Sequence, residues 1–304
     1  MAINVTSTAN GTATSNIIGE VMLRTPTIEK GLLDIVLSQQ EKVALQRIKT
    51  AGNNTVAPVA TPTTAVDGTT KDEVVITVGD CMYYDEFNPI RDFQTDWSYF
   101  YSTGQLTEAQ LNAEVRRAML PTVLDAIGGD LEQLIWQGDT ASGSAYLNRF
   151  DGLIKLIKAD ATVNDVTPAG ALTASNIFAT LDALIVALPS RVKERTSPVI
   201  MMNYADRDKM FQAQRNLDFK GTNITEAGIL RYAGYPVITC GIPENNVVMT
   251  YPGNLRGATW ILNDTRNVKI DRLQNNSELF FVKALYKFGV NYNWGQDMAF
   301  YTNV

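Results

Sequence analysis

The sequence contains no histidine. Histidine is the usual general base near neutral pH and a frequent metal ligand. Its absence removes Ser-His-Asp and Cys-His mechanisms, the usual zinc-hydrolase sites and His-ligated haem. Carboxylate and lysine chemistry stay open. Cysteine is scarce: Cys81 and Cys240 are the 2 present, far apart and without a partner at metal-ligand or redox spacing. They read as reduced, partly buried thiols. No stretch approaches the roughly 18 consecutive apolar residues of a membrane span. Basic runs are missing too. The 26 Lys and Arg are outnumbered by 32 Asp and Glu, for a net charge of −6, whereas a nucleic-acid binder presents a basic face to phosphates. Tight direct DNA or RNA binding is disfavoured; enclosing DNA without gripping it is not. The opening stretch MAINVTSTANGTATSN has neither a basic n-region nor an apolar h-region, which predicts folding in a cytoplasm.

What is present suffices for one large domain or two smaller ones: 304 residues, 45% hydrophobic and 19% charged. Residues 1–24 are small and polar, an arm expected to settle only against a partner. Thr25-Pro26 offers a cap and a first-turn proline. Ile28, Leu32, Ile35, Val36 and Val43 then recur at helical spacing, predicting one helix as far as Ile48, weakened at Gly31. Pro58 and Pro62 exclude a helix in the next stretch. Thr- and Val-rich runs on either side of Asp67-Gly68 predict a long β-hairpin projecting from the body. Isolated hairpins are marginal in water, so this one is expected to rest on a partner. The competing reading is an ordinary hairpin packed on its own domain.

Residues 107–137 predict a long helix of about 46 Å, with Leu124, Ile127, Leu131, Leu134 and Ile135 continuing one apolar stripe. Pro121 and Gly128-Gly129 are expected to bend or interrupt it. From 171 to 269 helices and strands alternate: a helix capped by Ser175, strands near 198–202, 235–239, 246–249 and 258–262, and a helix after Tyr204. Farther on, Phe280, Val282, Ala284, Tyr286, Phe288, Val290, Tyr292 and Trp294 occupy every second position, with Phe281 and Leu285 as exceptions on the otherwise polar opposite face. That is a strand of roughly 50 Å. Its aromatic face is expected to pack on the stripe of the long helix.

Chemistry is harder to find. No phosphate-loop or dinucleotide glycine pattern occurs. Asp80, Asp85, Glu86, Asp92 and Asp96 cluster near the hairpin base, but their spacing fits no EF-hand and solvated acidic loop residues are the better reading. The small-residue loop 139–144 has no histidine to activate a serine and reads as a flexible connection.

The order of these parts resembles a known family. LEQLIWQGD at 131–139 followed by NRFDGLIKLI at 148–157 is similar to the end of a spine helix and its following turn. SPVIMMNYADRDKM at 197–210 and YAGYPVITCGIPENN at 232–246 resemble strand, helix and loop of an axial domain. The chain thus resembles the major capsid proteins of tailed phages, with the Hong Kong-ninety-seven-type fold shared by encapsulins. The resemblance implies an α+β chain: an N-terminal arm and helix at 1–50, an extended loop at 51–92, a peripheral domain from 93–170 and 270–304 with its spine helix at 107–137, and an α/β axial domain at 171–269. It implies hexamers and pentamers tiling an icosahedral shell in the virion, assembled in the host cytoplasm around double-stranded DNA without sequence-specific binding. Separate scaffolding, portal and decoration proteins are the partners it allows. No catalytic, metal or cofactor residue is assigned. The residues expected at contacts between copies are Asp67, Gly68, Lys71, Val74, Ile76 and Asn245. Three other readings compete: an encapsulin-like nanocompartment, a carboxylate hydrolase using Asp85 and Glu86 under a hairpin lid, and a tail-tube subunit.

Overall fold

The computed structural model describes residues 24–37, 42–50, 69–88, 108–167, 170–216, 230–260, 269–273 and 279–303. A short helix α1 (Pro26–Glu29) follows Thr25 and ends at Gly31, whose φ of +66° is left-handed and suits glycine. The chain then turns extended, as β1 (Leu33–Leu37) and β2 (Lys42–Thr50). The single helix expected from 25 to 48 is therefore wrong beyond Glu29. The apolar residues there fit a period of two as well as one of 3.6, and strand partners decide between them. β1 pairs in parallel with β10 (Leu255–Trp260), while β2 pairs antiparallel with β3 (Thr69–Thr77).

That second pairing corrects the hairpin. The strand opposite Thr69–Thr77 is Lys42–Thr50, with Val43 opposite Ile76 and Leu45 opposite Val74, rather than the run before Asp67-Gly68. Asp67 and Gly68 lie outside the described residues. After β4 (Gly79–Phe87) comes α2 (Glu108–Gln137), a helix of 30 residues matching the expected spine. Neither Pro121 nor Gly128-Gly129 interrupts it.

The remaining elements are α3 (Leu153–Ala159), β5 (Asn164–Val166), α4 (Ile177–Ala187), α5 (Ser190–Arg195), β6 (Val199–Met202) and α6 (Tyr204–Arg215). They are followed by β7 (Arg231–Tyr232), β8 (Tyr235–Thr239), β9 (Asn246–Thr250), β11 (Lys269–Arg272), β12 (Phe280–Tyr292) and β13 (Ala299–Thr302). The residue before α4 is Asn176 rather than Ser175. Its side-chain oxygen accepts from the amide of Thr173.

Two sheets organise these strands. In the five-stranded one, β12 lies between β10 and β11 on one side and β4 on the other, with β1 outside β10. The six-stranded sheet runs β5-β13-β9-β6-β8-β7. This redraws the unit assigned to 171–269. Its strand near 258–262 is β10 and belongs to the five-stranded sheet, whereas β5 and β13, from the flanking spans, complete the six-stranded one. Pairing partners, not position along the chain, set the membership.

The expected packing of the long strand on the long helix is present. Leu124, Ile127, Leu131 and Ile135 share one buried cluster with Phe280, Val282, Phe288 and Tyr292. Each such side chain stabilises by about 1.5–3 kcal/mol on full burial. Trp136, completely buried, joins them from the same helix. A second cluster packs α4 and α6 on the six-stranded sheet through Leu181, Leu184, Met210, Ile200 and Tyr301.

Candidate functional site

Three places bear on how this chain meets its surroundings: the hairpin, the residues around α1, and the turns of the six-stranded unit. The hairpin alternates strictly. Val43, Leu45, Val74 and Ile76 face the body, while Ile48, Val75, Lys71, Gln46 and Glu73 are exposed on the other side. Ile76 forms a small buried cluster with Val78 and Ala258, against which Val43 and Leu45 pack. Farther along, Arg47 pairs with Asp72, its second nitrogen 2.8 Å away, stacks over the ring of Trp294 and donates to the carbonyl of Asn293. Lys49 reaches the side-chain oxygen of Gln296 at 2.5 Å. Asn291 donates to the carbonyl of Val75 at 2.8 Å. At Gly289 a Cβ would sit 2.3 Å from the carbonyl oxygen of Thr77, so only glycine admits the hairpin this close.

The described hairpin thus rests on its own chain. Val74 and Ile76, expected at contacts between copies, have their side chains buried within the chain. Lys71 stays exposed, opposite Ile48, which is 65% exposed.

Around α1, three portions of the chain converge on one carboxylate. Glu132, on α2, is only 5% exposed. It accepts from the amide of Thr27 at 3.1 Å, from the Thr27 hydroxyl at 2.5 Å and from the amide of Gly241 at 2.6 Å. The Thr27 oxygen in turn accepts from the indole of Trp136 at 2.9 Å. A buried carboxylate is tolerable only when its lone pairs are filled this way. Arg24 pairs with Asp125 and donates to the carbonyl of Pro121 at 3.0 Å. Lys30 reaches the other way, to the carbonyl of Thr239 at 2.6 Å and the hydroxyl of Tyr204 at 3.3 Å. Nothing in the spacing of Thr27, Glu132 and Gly241 announces this meeting.

In the six-stranded unit, Asn245 adopts a left-handed φ of +63°. Its amide donates to Asp206 at 2.8 Å and its side-chain oxygen accepts from the amide of Leu172 at 2.8 Å. The residue expected at a contact between copies is therefore tied inward. Asp206 is fully buried and bridged by Lys209 at 2.7 Å.

The loop expected to be a flexible connection is pinned instead. Lys155 lies 2.6 Å from Asp139 and 2.7 Å from Asp151, and Asp151 accepts from both the amide and the hydroxyl of Thr140. The hydrogen bond from Lys155 is the main reason the Asp139 carboxyl is held below its ordinary range.

Reactive chemistry is thin. Asp80, Asp85 and Glu86 lie along the exposed edge of β4, with Asp80 3.0 Å from Lys287; Asp92 and Asp96 lie outside the described residues. Among the described residues no three His, Cys, Asp or Glu side chains are grouped to hold a metal, and no helix is long and apolar enough to cross a membrane. Cys81 and Cys240 are both buried, and desolvation pushes each thiol up to about 12, far from a ready nucleophile.

No family model matches the sequence, and no curated protein matches it. Solved structures do. The procapsid of satellite phage P4 that includes its size determination protein contains a chain 10% identical, aligned over 94% of this chain and 89% of that one, with a TM-score of 0.58. The capsid of a native GTA particle gives 12% identity, 94% and 91% coverage and a TM-score of 0.58. The capsid of Myoviridae phage XM1 gives 10%, 92% and 92%, and 0.57. Spine helix, long strand, hairpin and six-stranded unit together make this the phage major capsid fold, of the Hong Kong-ninety-seven type.

Proposed function

We propose that the chain is the major capsid protein of a tailed phage, assembling as hexamers and pentamers into an icosahedral shell of the virion around double-stranded DNA. The observation that carries this reading is the fold correspondence with capsid subunits, which runs through 92–94% of this chain and 89–92% of theirs. The net charge of −6 supports a container that encloses nucleic acid without gripping it. Contacts between copies use the outward face of the hairpin, where Lys71 and Ile48 lie side by side, together with Asp67 and Gly68. Closed shells need many such moderate surfaces repeated by symmetry. Portal, scaffolding and decoration proteins are further partners of the assembled shell.

Electron microscopy and light scattering of the purified chain test the proposal. Closed isometric particles are expected. A monodisperse compact monomer refutes it, and open helical tubes transfer the chain to the tail-tube reading. Particles that enclose protein cargo and no DNA when isolated from their native source transfer it to the nanocompartment reading.

A further inference from the structure

We infer that Glu132 is a coupling point through which residues 24–27 control the seating of the six-stranded unit on the spine helix. The inference rests on the shell reading and deepens it, since a neighbouring copy that displaces residues 24–27 would act on this point.

The argument is one of shared atoms. One oxygen of Glu132 accepts from both the Thr27 hydroxyl and the Gly241 amide. Thr27 belongs to the segment that comes up along α2, and Gly241 opens the turn between β8 and β9. Neither donor needs the other for any direct bond; each needs the carboxylate to stay where it is. The fit leaves no slack. A Cβ at Gly241 would lie 2.2 Å from Cγ of Glu132, so the turn sits directly on the side chain. Burial makes the arrangement all-or-none, because a carboxylate at 5% exposure that loses a donor has no water to replace it. Lys30 supplies a second tether to the same turn, through the carbonyl of Thr239. Arg24 fixes the opposite end to α2 through Asp125 and the carbonyl of Pro121. Displacing residues 24–27 therefore takes away the acceptor geometry that holds Gly241, although the two lie more than two hundred positions apart in the sequence.

Hydrogen exchange resolved to single amides, on the full chain in whatever assembly state it adopts, reads the coupling. Thr27→Val removes the hydroxyl and keeps the shape; the Gly241 amide is expected to exchange at least about fivefold faster. Thr27→Ser restores protection, and Glu132→Gln loses it at Thr27 and Gly241 together. If Thr27→Val does not fold, Lys30→Met cuts the exposed tether alone and is read at the same Gly241 amide. A Gly241 amide that keeps its original protection, or changes only in step with the amides of β6 and β9, overturns the coupling. The measurement does not depend on shells, so a chain that proves monomeric sinks the shell reading while leaving this one to be decided separately.

Discussion

Ile76 decides whether the hairpin belongs to its own subunit. The residue is completely buried, with Val78 and Ala258 beside it and Val43 and Leu45 closing over it. Ile76→Ala removes three carbons, worth about 0.8 kcal/mol each by transfer. Val43 and Leu45 are half-buried and free to lean into the gap, so the cavity contribution is small. The expected cost is about 2–3 kcal/mol, at the low end for such substitutions. Ile48→Ala, on the exposed face of the same hairpin, is expected to cost no more than about 0.5 kcal/mol. Hydrogen exchange of the β2 and β3 amides reports the local opening. The Ile76 change is expected to speed it by about 30- to 160-fold, the Ile48 change by roughly twofold or less. Should both variants exchange alike, the hairpin is not packed on β10 and β12, and its stability comes from another copy after all.

Gly289→Ala tests the same contact from the sheet side. The new methyl would meet the Thr77 carbonyl oxygen at 2.3 Å and the Val78 Cα at 3.1 Å, backbone atoms that cannot rotate away. A loss of about 1–3 kcal/mol is expected, read as a lower melting temperature, and an unchanged melt contradicts the close approach. Lys155→Met addresses the pinned loop. Asp139 is held below its ordinary 3.8, first by the Lys155 hydrogen bond and then by the amide of Ala141. Its contribution is therefore present above 3.8 and lost as pH falls through the lowered value. Lys155 is held above 10.5, chiefly by Asp139 and then Asp151, so its contribution is present below 10.5 and lost as pH rises through the raised value. The variant should melt below the parent across neutral pH and converge with it once pH has fallen through the lowered values of Asp139 and Asp151; a difference that persists below them shows that packing, not the ion pair, holds the loop.

The elements that were legible in the sequence are those whose periodicity has one solution. The alternation from Phe280 to Tyr292 admits only a strand, and the stripe from Leu124 to Ile135 only a helix, so their mutual packing followed. Residues 33–48 carry apolar spacings compatible with both periods, and the choice rests on β10 and β3, partners far away in the chain. Sheet membership was hidden for the same reason: β5 and β13 are short, and nothing local in NDV or AFYT names a partner. For Val74 and Ile76 alternation shows that a face is buried and not what buries it; within the chain that is Val43, Leu45, Val78 and Ala258. The convergence on Glu132 was illegible. Hydrogen bonds between Thr27, Glu132 and Gly241 leave no pattern in a single sequence.

The place of β13 in the six-stranded sheet has a consequence for how the chain comes off the ribosome. Its residues Ala299–Tyr301 pair with Asn164–Val166 on one side and with Val247–Met249 on the other. Until this strand has been translated, β5 has no path to the sheet, and β9 shows a bare edge lined by some of the most apolar residues in the protein. β13 is thus a wedge between two strands translated well before it. Closure over such separations is slow, and an unpaired edge of this kind is where a nascent subunit is most exposed to sticking to its siblings too early.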